Sequence, residues 1–547
     1  MKKIIITLII VTVAGLWLFS QYWYHLPGIM MGIVSPVGET REITWEQGPA
    51  VPPRESSPPN IVLIVADDLG FNDITFYGGG INGGSVPTPN IDTIASEGIQ
   101  FTNGYAGNGT CAPSRAALLT GRFATRSGFE FTPARPEFAQ MTAGDAYIKE
   151  NAEGYPPSDT LGLPSSELTL PELLKKRGYH SVAVGKWHLG EAEGLRPLDQ
   201  GFNEFLGFLP GAAMFLPEDD PDVVNSKQEF DPIDRFLWPN LSYAVRHNNS
   251  DRFRPDSHMT DYFSRQAVKV IKANRNRPFF LYLAYNAPHT PLQSEKADYE
   301  ALSHIEDHTE RTYAGMLRGL DRGIGQVLEA LETHGVKENT IVIFTSDNGG
   351  AGYVGLPDLN HPYRGWKITF FEGGIHTPYF IRWPEVIPPE SQYESAVAHV
   401  DIFSTVLSAA GIDLPDERII DGVDVLDYTI AKPRPLKRPL YWRSGGYKVV
   451  QLEGWKLQYQ AQNGKTWLFN LNEDPTEQVE LSARYPEKLI AMRSVLDELD
   501  GQMVEPLWPA LVETPISIDY TVDKRPKTDH ETILRNNGCL RMQELLH

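Results

Sequence analysis

Four short runs of apolar residues between positions 60 and 349 constrain the fold of this chain more than any other feature. They are NIVLIVA at 60–66, HSVAVGKW at 180–187, PFFLYLAYNAPH at 278–289 and NTIVIFTSDNG at 339–349. Strands that are apolar on both faces are typical of a parallel sheet covered by helices on both sides. Helical periodicity, as over 311–335, alternates with these runs and predicts a doubly wound α/β domain.

Oxygen-bearing side chains follow two of these runs. Asp67 and Asp68 end the first run, and Asp347 and Asn348 end the last one. Ligands of open α/β sheets bind beyond the carboxyl ends of the strands, so we expect these side chains to share one cleft. Carboxylate and amide oxygens suit Ca²⁺ or Mg²⁺, and no histidine or cysteine stands beside them to favour zinc. The alternative is that each pair only caps a helix or a turn.

Cationic and imidazole side chains form a second group of candidate residues. Lys186 and His188 lie in GKWHLG, His289 in APHTPLQ, Lys367 in RGWKITFFEGG and Arg115 in CAPSR. The formal net charge is −21, which argues against nucleic acid as a partner. An anionic substrate would therefore need a local cationic pocket, which these residues together predict. Taken singly, such a lysine or histidine is more often a solvated or core residue.

Cys111 is one of only two cysteines in the chain, the other being Cys539. Two cysteines this far apart do not indicate a disulfide framework. A helix N-terminus beside Arg115 would lower the pKa of the Cys111 thiol and suit a thiol protease or phosphatase. A thiolate, however, is poorly matched to the hard cation that the acidic residues predict. A buried structural cysteine is the other alternative, and it leaves the following Pro-Ser-Arg unexplained.

The segment CAPSRAALLTGR at 111–122 resembles the signature of the type I sulfatases, Cys-x-Pro-Ser-Arg-x-x-x-Leu-Thr-Gly-Arg. Other segments resemble that family in the same order, over roughly residues 59–500. They include PNIVLIVADDLG, GYHSVAVGKWHLG, FFLYLAYNAPHTPL, TIVIFTSDNG and RGWKITFFEGGIHTP. The resemblance implies an alkaline-phosphatase-like α/β/α sandwich with a large mixed, mostly parallel sheet and a smaller C-terminal antiparallel sheet.

The resemblance also implies an unusual fate for Cys111. In that family the cysteine of the signature is oxidised after translation to formylglycine by a dedicated maturation enzyme. One hydroxyl of the hydrated aldehyde would attack sulfur, and the other would expel sulfate as the aldehyde re-forms. A Ca²⁺ ion, or alternatively Mg²⁺, is implied as cofactor, with a ligand set of Asp67, Asp68, Asp347, Asn348 and residue 111.

The remaining roles follow from the same resemblance. Arg115 would stabilise the modified side chain, and Lys186 and Lys367 would bind the sulfate oxygens. Lys367 or His289 would protonate the leaving alcohol, and His188 would accept the proton that triggers sulfate release.

Five segments are predicted along the chain. They are a signal peptide or N-terminal membrane anchor at 1–25, a Pro-rich solvated linker at 26–58, a catalytic domain at 59–433, an antiparallel-sheet subdomain with a helix at 434–504, and a tail at 505–547 whose periodicity is too weak to place. Lys2 and Lys3 precede an apolar run, which indicates export to a periplasmic or extracellular location. An uncleaved segment would tether the protein to the membrane.

The expected substrate is a sulfated carbohydrate or an aryl sulfate. The insertion at about 211–256 would either supply sugar subsites, through Trp238, Tyr243, Arg246 and His247, or form an ordinary surface loop. Hydrolysis of phosphate diesters or phosphonate monoesters is the alternative function, because related enzymes share the architecture. A non-catalytic carbohydrate-binding relative is the third reading, and it requires that Cys111 stay unmodified.

Overall fold

A mixed sheet of nine strands forms the centre of the protein, as seen in a computed structural model that describes residues 2–51, 57–231, 233–524 and 530–537. The strands are β1 (Asn60–Ala66), β2 (Ile99–Phe101), β3 (His180–Lys186), β4 (Glu204–Phe208), β5 (Arg246–His247), β6 (Phe279–Ala284), β7 (Thr340–Ser346), β8 (Tyr379–Arg382) and β9 (Ser391–Tyr393). Their spatial order is β9-β2-β8-β7-β1-β6-β3-β4-β5. The five strands from β7 to β4 run parallel, whereas β8 and β5 pair antiparallel with them. The four apolar runs are the four central strands, which confirms the predicted fold class.

Helices cover both faces of this sheet. Within the described ranges, the helices of eight or more residues anywhere in the chain are α1 (Lys2–Tyr22), α2 (Leu26–Val34), α3 (Pro89–Ser96), α4 (Cys111–Thr120), α5 (Pro136–Ala143), α6 (Met259–Asn274), α7 (His308–Thr333), α8 (Val400–Ala409) and α9 (Pro486–Asp500). Side chains alternate along a strand, so β1 contributes to two cores. Val62 and Ile64 pack in the same core as α6 and α7, while Leu63 and Val65 pack with α4 and α8. This double burial explains why β1 is apolar from position 61 to position 66.

The segment before the catalytic domain differs from the solvated linker that its composition predicts. Its first part is the helix α2, and Trp45 further along is only 3% exposed. The Trp45 indole N–H donates to Gln266 on α6 over 3.0 Å, and the Gly48 N–H donates to the Ala273 carbonyl over 2.9 Å. One buried aromatic side chain thus anchors a stretch that is otherwise rich in Pro and Glu.

Among the described residues, no helix is long and apolar enough to cross a lipid bilayer.

The C-terminal part contains two further antiparallel sheets. Four strands form the first, β10 (Leu440–Ser444), β11 (Tyr447–Leu452), β12 (Trp455–Gln460) and β13 (Thr466–Asn470). The tail that could not be placed from its sequence contributes a hairpin of β14 (Val512–Ser517) and β15 (Thr532–Asn537). Ile516 and Ile533 on this hairpin are fully buried, so the described part of the tail belongs to the folded body. Cys539 lies outside the described residues.

A buried ion triad joins the first C-terminal sheet to the catalytic domain. Lys456 on β12 places its ammonium 2.7 Å from Glu372 Oε1 and 3.0 Å from Glu477 Oε1. All three side chains are at most 2% exposed. The lysine is therefore a cation shared by two carboxyl groups that have little access to water.

Replacing Lys456 with methionine should lower the free energy of unfolding by about 3–5 kcal/mol, because it leaves buried carboxylates without their cation. Urea unfolding measures the change. Lys465→Met is the control, since the partly exposed ammonium of Lys465 makes a surface ion pair with Glu531 at 3.3 Å and lies 4.4 Å from the centre of the Trp467 ring. Its loss should cost less than about 1 kcal/mol. Equal effects of the two substitutions would contradict the structural role of the triad.

Candidate active site

The carboxyl ends of β1 and β7 bring four oxygen-bearing side chains together. The two strands pair in parallel along their whole length, so the residues that follow them lie side by side. The Asp68 backbone N–H donates to Asp347 Oδ1 over 3.2 Å, and Asn348 Nδ2 donates to Asp68 Oδ1 over 2.8 Å. These three residues and Asp67 are all buried. The structure thus brings together the four residues that the strand ends predicted.

Lys186 is the last residue of β3, and its ammonium reaches Asp67. The distances from Nζ are 2.8 Å to Oδ1 and 2.6 Å to Oδ2. One strand, β6, lies between β3 and β1, which corresponds to about 10 Å of lateral separation at the usual spacing. The Lys186 and Asp67 side chains together span that distance. Lys186 therefore enters the cleft from the side, fully buried.

Lys367 lies on the opposite flank and pairs with the other aspartate. Its Nζ is 2.7 Å from the Asp68 carboxylate and 3.0 Å from the hydroxyl of Tyr353. The Tyr353 hydroxyl also donates to Asp68 Oδ2 over 2.9 Å. Tyr353 was not predicted as a site residue, because it lies in the glycine-rich loop GGAGYVG with no motif spacing to mark it. The cleft therefore has one lysine for each of the two adjacent aspartates.

Cys111 begins the helix α4, as its position in the signature predicted. Its Sγ lies 3.5 Å from Asp67 Oδ1 and 3.7 Å from Asp68 Oδ1. Burial, followed by the charge of Asp347, raises the pKa of the thiol well above its usual value. The lowered pKa expected at a helix N-terminus is therefore wrong, and the thiolate mechanism loses its support. The side chain of residue 111 nevertheless occupies the middle of the cleft.

Arg115 is one turn along α4 and is wholly buried. Its Nε lies 2.8 Å and its Nη2 2.7 Å from Asp347 Oδ2, while Nη1 lies 3.2 Å from the Lys186 carbonyl. The Tyr282 hydroxyl is 3.5 Å from the same Nη1. These contacts fix the orientation of the Asp347 carboxylate beside residue 111. The expected contact between Arg115 and the modified side chain stays a prediction.

The two predicted histidines lie on the rim of the cleft. His289 Nε2 is 3.6 Å from Asp68 Oδ2, and its Nδ1 is 2.6 Å from the Thr290 carbonyl. A carbonyl can only accept, so Nδ1 carries the proton and Nε2 faces the acids with its lone pair. His188 has a positive φ of 60° and packs against Gly211, where an added Cβ would lie 2.6 Å from Nε2. Both imidazoles are thus held in fixed orientations at the site.

The donor atoms of the cleft fit a hard divalent cation. One ligand atom from each of Asp67, Asp68, Cys111 and His289 lies within 4.8 Å of the others. The Asn348 side-chain oxygen is buried and has no hydrogen-bond partner within the described part of the chain. An unsatisfied buried oxygen beside two carboxylates is what an oxygen-coordinated cation requires. The expectation that no cysteine or histidine stands beside the acids is therefore wrong, since Cys111 and His289 join the cluster. The oxygen atoms of Asp67, Asp68 and Asn348 are the part of the donor set that suits Ca²⁺ or Mg²⁺.

A family comparison decides what kind of site this is. A family model described as Sulfatase matches residues 59–412, which is more than half of the chain and includes every residue of the cleft. The chain belongs to the sulfatase family. It is therefore a sulfuric ester hydrolase, and its nine-stranded α/β architecture is the one expected from the resemblance.

Named relatives support the same assignment. The N-acetylgalactosamine-6-sulfatase of Mus musculus is 36% identical over 406 residues, which are 73% of this chain and 71% of that protein. Arylsulfatase J of Mus musculus is 29% identical and covers 79% of this chain and 74% of its own length. Among solved structures, Ps i-CgsB in complex with k-i-k-neocarrahexaose is 30% identical with a TM-score of 0.70. That alignment covers 83% of this chain and 95% of the other.

The C-terminal hairpin of this sulfatase contributes a residue that the sequence did not reveal. Arg535 on β15 is only 1% exposed, and its Nη2 lies 3.4 Å from Asn108 Oδ1, three residues before Cys111. The guanidinium also lies 4.7 Å from the centre of the Phe370 ring. It thus holds the loop that precedes the signature helix. The segment TILRNNG carries no motif that would have marked this arginine.

The aromatic insertion of this sulfatase differs from the sugar-binding surface considered for it. Trp238 is only 7% exposed, and its indole N–H donates to Asp234 over 2.8 Å. Tyr243 donates to the Ser257 carbonyl over 2.6 Å, and the ring of His247 packs edge-on against Trp45. These three side chains are structural. Arg246 is half-buried, and its Nη1 donates to the Ser250 carbonyl over 3.2 Å.

Proposed function

We propose that this sulfatase hydrolyses sulfate monoesters of carbohydrates, with residue 111 converted to formylglycine and one Ca²⁺ ion at the ends of β1 and β7. The observation that carries the proposal is the position of Cys111. Its side chain begins a buried helix within 3.5–3.7 Å of two aspartates, with a lysine on each flank. A nucleophile derived from residue 111 would therefore meet a sulfate group between two cations.

The modified residue supplies chemistry that serine or cysteine lacks. A hydrated aldehyde offers one hydroxyl to form a sulfate ester and a second whose deprotonation expels sulfate, so that water need not attack sulfur. The sequence CAPSR and the position of Cys111 at the start of α4 support this modification. A formylglycine-generating maturation enzyme is the partner that the modification requires.

The cation would be held by Asp67, Asp68, Asp347, Asn348 and residue 111. It would neutralise charge on the sulfate oxygens and favour the ionised form of the attacking hydroxyl. Mg²⁺ is the alternative ion, because the same oxygen ligands suit it. The orphaned oxygen of Asn348 supports this ligand set.

The lysines around this centre would bind the sulfate group, and Lys367 and the histidines would transfer protons. Lys186 and Lys367 already lie within hydrogen-bond distance of the acids, so each is placed to bind a sulfate oxygen and stabilise developing negative charge. Lys367, or His289 once its Nε2 has taken up a proton, would protonate the leaving alcohol from the rim. His188 would accept the proton whose removal releases sulfate. Arg115 would hold Asp347 in position and contact the modified side chain.

The names of the relatives support a carbohydrate substrate. They include an N-acetylgalactosamine-6-sulfatase and a structure in complex with a neocarrahexaose. The apolar run after Lys2 and Lys3 further supports export, to a periplasmic or extracellular location, and a membrane tether if the segment is retained. Sulfated oligosaccharides arriving from outside the cell are compatible with that location.

Comparing an aryl sulfate with the matching aryl phosphodiester tests the reaction. We expect kcat/KM for the sulfate to exceed that for the diester by at least about 100-fold, a difference of about 2.7 kcal/mol in transition-state binding. The phosphonate monoester serves as the third substrate. Faster turnover of the diester or the phosphonate would overturn the proposal in favour of the related phosphorus chemistry. No turnover of any ester, together with an unmodified Cys111, would favour the non-catalytic carbohydrate-binding role.

A further inference from the structure

Four arginines form a cationic cluster beside the active site. They come from three different parts of the chain and consist of Arg135, Arg196, Arg246 and Arg252. None of them has a role in the chemistry proposed above. Such a concentration of positive charge is unusual on a chain whose formal net charge is −21.

The strand register places this cluster next to the catalytic residues. Gly185, which precedes the catalytic Lys186, pairs with Gly207 on β4, and Gly207 pairs with Arg246 on β5. Two strand spacings correspond to about 10 Å between the backbones of Gly185 and Arg246. Arg196 lies on the loop that follows His188, and its Nε donates to the Glu191 carbonyl over 2.8 Å. The cluster therefore borders the side of the cleft occupied by His188.

Neutral groups hold the guanidinium groups of Arg246 and Arg252 in place, as the Glu191 carbonyl does for Arg196. Arg246 Nη1 donates to the Ser250 carbonyl over 3.2 Å. Arg252 donates to Ser35 Oγ over 3.1 Å and to Ser242 Oγ over 3.0 Å. Within the described ranges, no carboxylate lies within 4.0 Å of any of the four guanidinium groups. Their positive charge is thus oriented by the protein and not neutralised by an ion pair.

Three acids lie within electrostatic range of the cluster. Glu191 is exposed to water, yet the surrounding protein raises the pKa of its carboxyl, and four guanidinium groups lower it, in descending order those of Arg135, Arg246, Arg252 and Arg196. Asp251 acts on Arg246, and the Asp199 carboxylate accepts the Arg196 backbone N–H over 3.2 Å. Four cations facing three acids leave an excess of positive charge. All four arginines lie close enough to Glu191 to act on its carboxyl.

We propose that this cluster binds a second anionic group of the substrate, a sulfate ester or a carboxylate carried by the sugar next to the one that is desulfated. The inference rests on the sulfate ester hydrolysis proposed above and narrows its substrate class to polyanionic oligosaccharides. Guanidinium groups bind sulfate and carboxylate oxygens in pairs, which gives the site geometric selectivity as well as attraction. A cleft lined by one sign of charge also raises the local concentration of its ligand.

Three oligosaccharides with the same backbone test the inference. One carries only the sulfate that the enzyme removes, the second carries an additional sulfate on the neighbouring sugar, and the third carries a carboxylate there. We expect the wild-type enzyme to prefer the second or the third over the first by about tenfold or more in kcat/KM, the scale of one charge-assisted hydrogen bond. Whichever anion gives the larger preference identifies the natural group. The preference should decline between 50 and 500 mM salt, because exposed charges are screened.

Arg246→Ala should reduce that preference by about tenfold, mainly through KM, since it removes one binding charge. Arg275→Ala is the matched control. Arg275 is an exposed arginine at the end of α6, which precedes the amino end of β6 and so lies at the opposite edge of the sheet. The control should leave the preference between the substrates unchanged.

The outcomes separate the two proposals. Turnover of an aryl sulfate without any preference for a second anion would overturn the arginine subsite and leave the sulfatase chemistry intact. An equal loss of preference in both arginine variants would also overturn it, since the effect would then reflect overall charge. Failure to hydrolyse any sulfate ester would instead contradict the proposed function.

Discussion

Replacing Cys111 with alanine should lower the turnover of an aryl sulfate by at least about 10⁴-fold, the scale seen when a covalent nucleophile is removed. Alanine has no group that can be oxidised to an aldehyde. The hydrated aldehyde that supplies both hydroxyls therefore cannot form. The substitution should not disturb the fold, because Cys111 is the first residue of α4 and alanine is the best helix former. Initial rates with the aryl sulfate measure the loss of turnover. A circular dichroism spectrum measures whether the fold is retained.

Cys539→Ala is the control for this experiment, because Cys539 is the other cysteine of the chain and has no place in the proposed mechanism. This variant should keep its turnover. Mass spectrometry of the peptide containing residue 111 should find an aldehyde in the active wild-type enzyme. An unmodified thiol in fully active protein, or activity retained by Cys111→Ala, would refute the proposed mechanism.

The central sheet and most of the candidate site follow from the sequence for a common physical reason. β1, β3, β6 and β7 are buried on both faces, so each appears as a mostly apolar run. Parallel strands end at the same edge of a sheet, and polar residues directly after them must therefore meet. Asp67, Lys186 and Asp347 were predicted to share a cleft on this ground, and they do.

The residues that the sequence did not reveal reach the site through contacts between distant segments. Arg535 lies more than 400 positions after Asn108, and nothing in the sequence around Arg535 indicates that the two side chains are in contact. Tyr353 enters from a loop, where periodicity gives no information. The packed segment around Trp45 was missed because one buried indole has little effect on the composition of a Pro-rich stretch. A local sequence pattern indicates which face of a helix or strand is buried. It does not indicate which distant segment packs against that face, and the contacts of Arg535, Tyr353 and Trp45 depend on that segment.

The position of Asp68 leads to the second prediction of large effect. Its carboxylate accepts hydrogen bonds from Lys367, Tyr353 and Asn348, and the Cys111 Sγ lies 3.7 Å from it. Replacing Asp68 with asparagine keeps the shape of the side chain but removes its charge. The cation would lose an anionic ligand, and Lys367 would lose its buried counter-ion. Both losses act on the same reaction centre.

Asp68→Asn should therefore lower turnover by about 10³-fold, because a metal ion contributes several kcal/mol to transition-state stabilisation and each 1.36 kcal/mol is tenfold in rate. A second measurement does not depend on turnover. Ca²⁺ at about one hundred times its Kd should stabilise the wild-type protein by about 2.7 kcal/mol against unfolding, relative to protein in chelator. The same addition should leave the unfolding of the Asp68→Asn variant unchanged.

Asp73→Asn is the matched control, five residues further along the chain. Burial raises the pKa of Asp73 to about 8, against the hydrogen bonds that its Oδ2 accepts from Tyr313 over 2.6 Å and from the Gly70 N–H over 2.7 Å. A carboxyl with that pKa is protonated at pH 7, so the neutral asparagine replaces an already neutral group. We expect this variant to keep its turnover and its stabilisation by Ca²⁺. If Asp68→Asn retained the stabilisation by Ca²⁺, or if Asp73→Asn lost it, the ion would have to bind elsewhere, and the ligand set at the ends of β1 and β7 would be wrong.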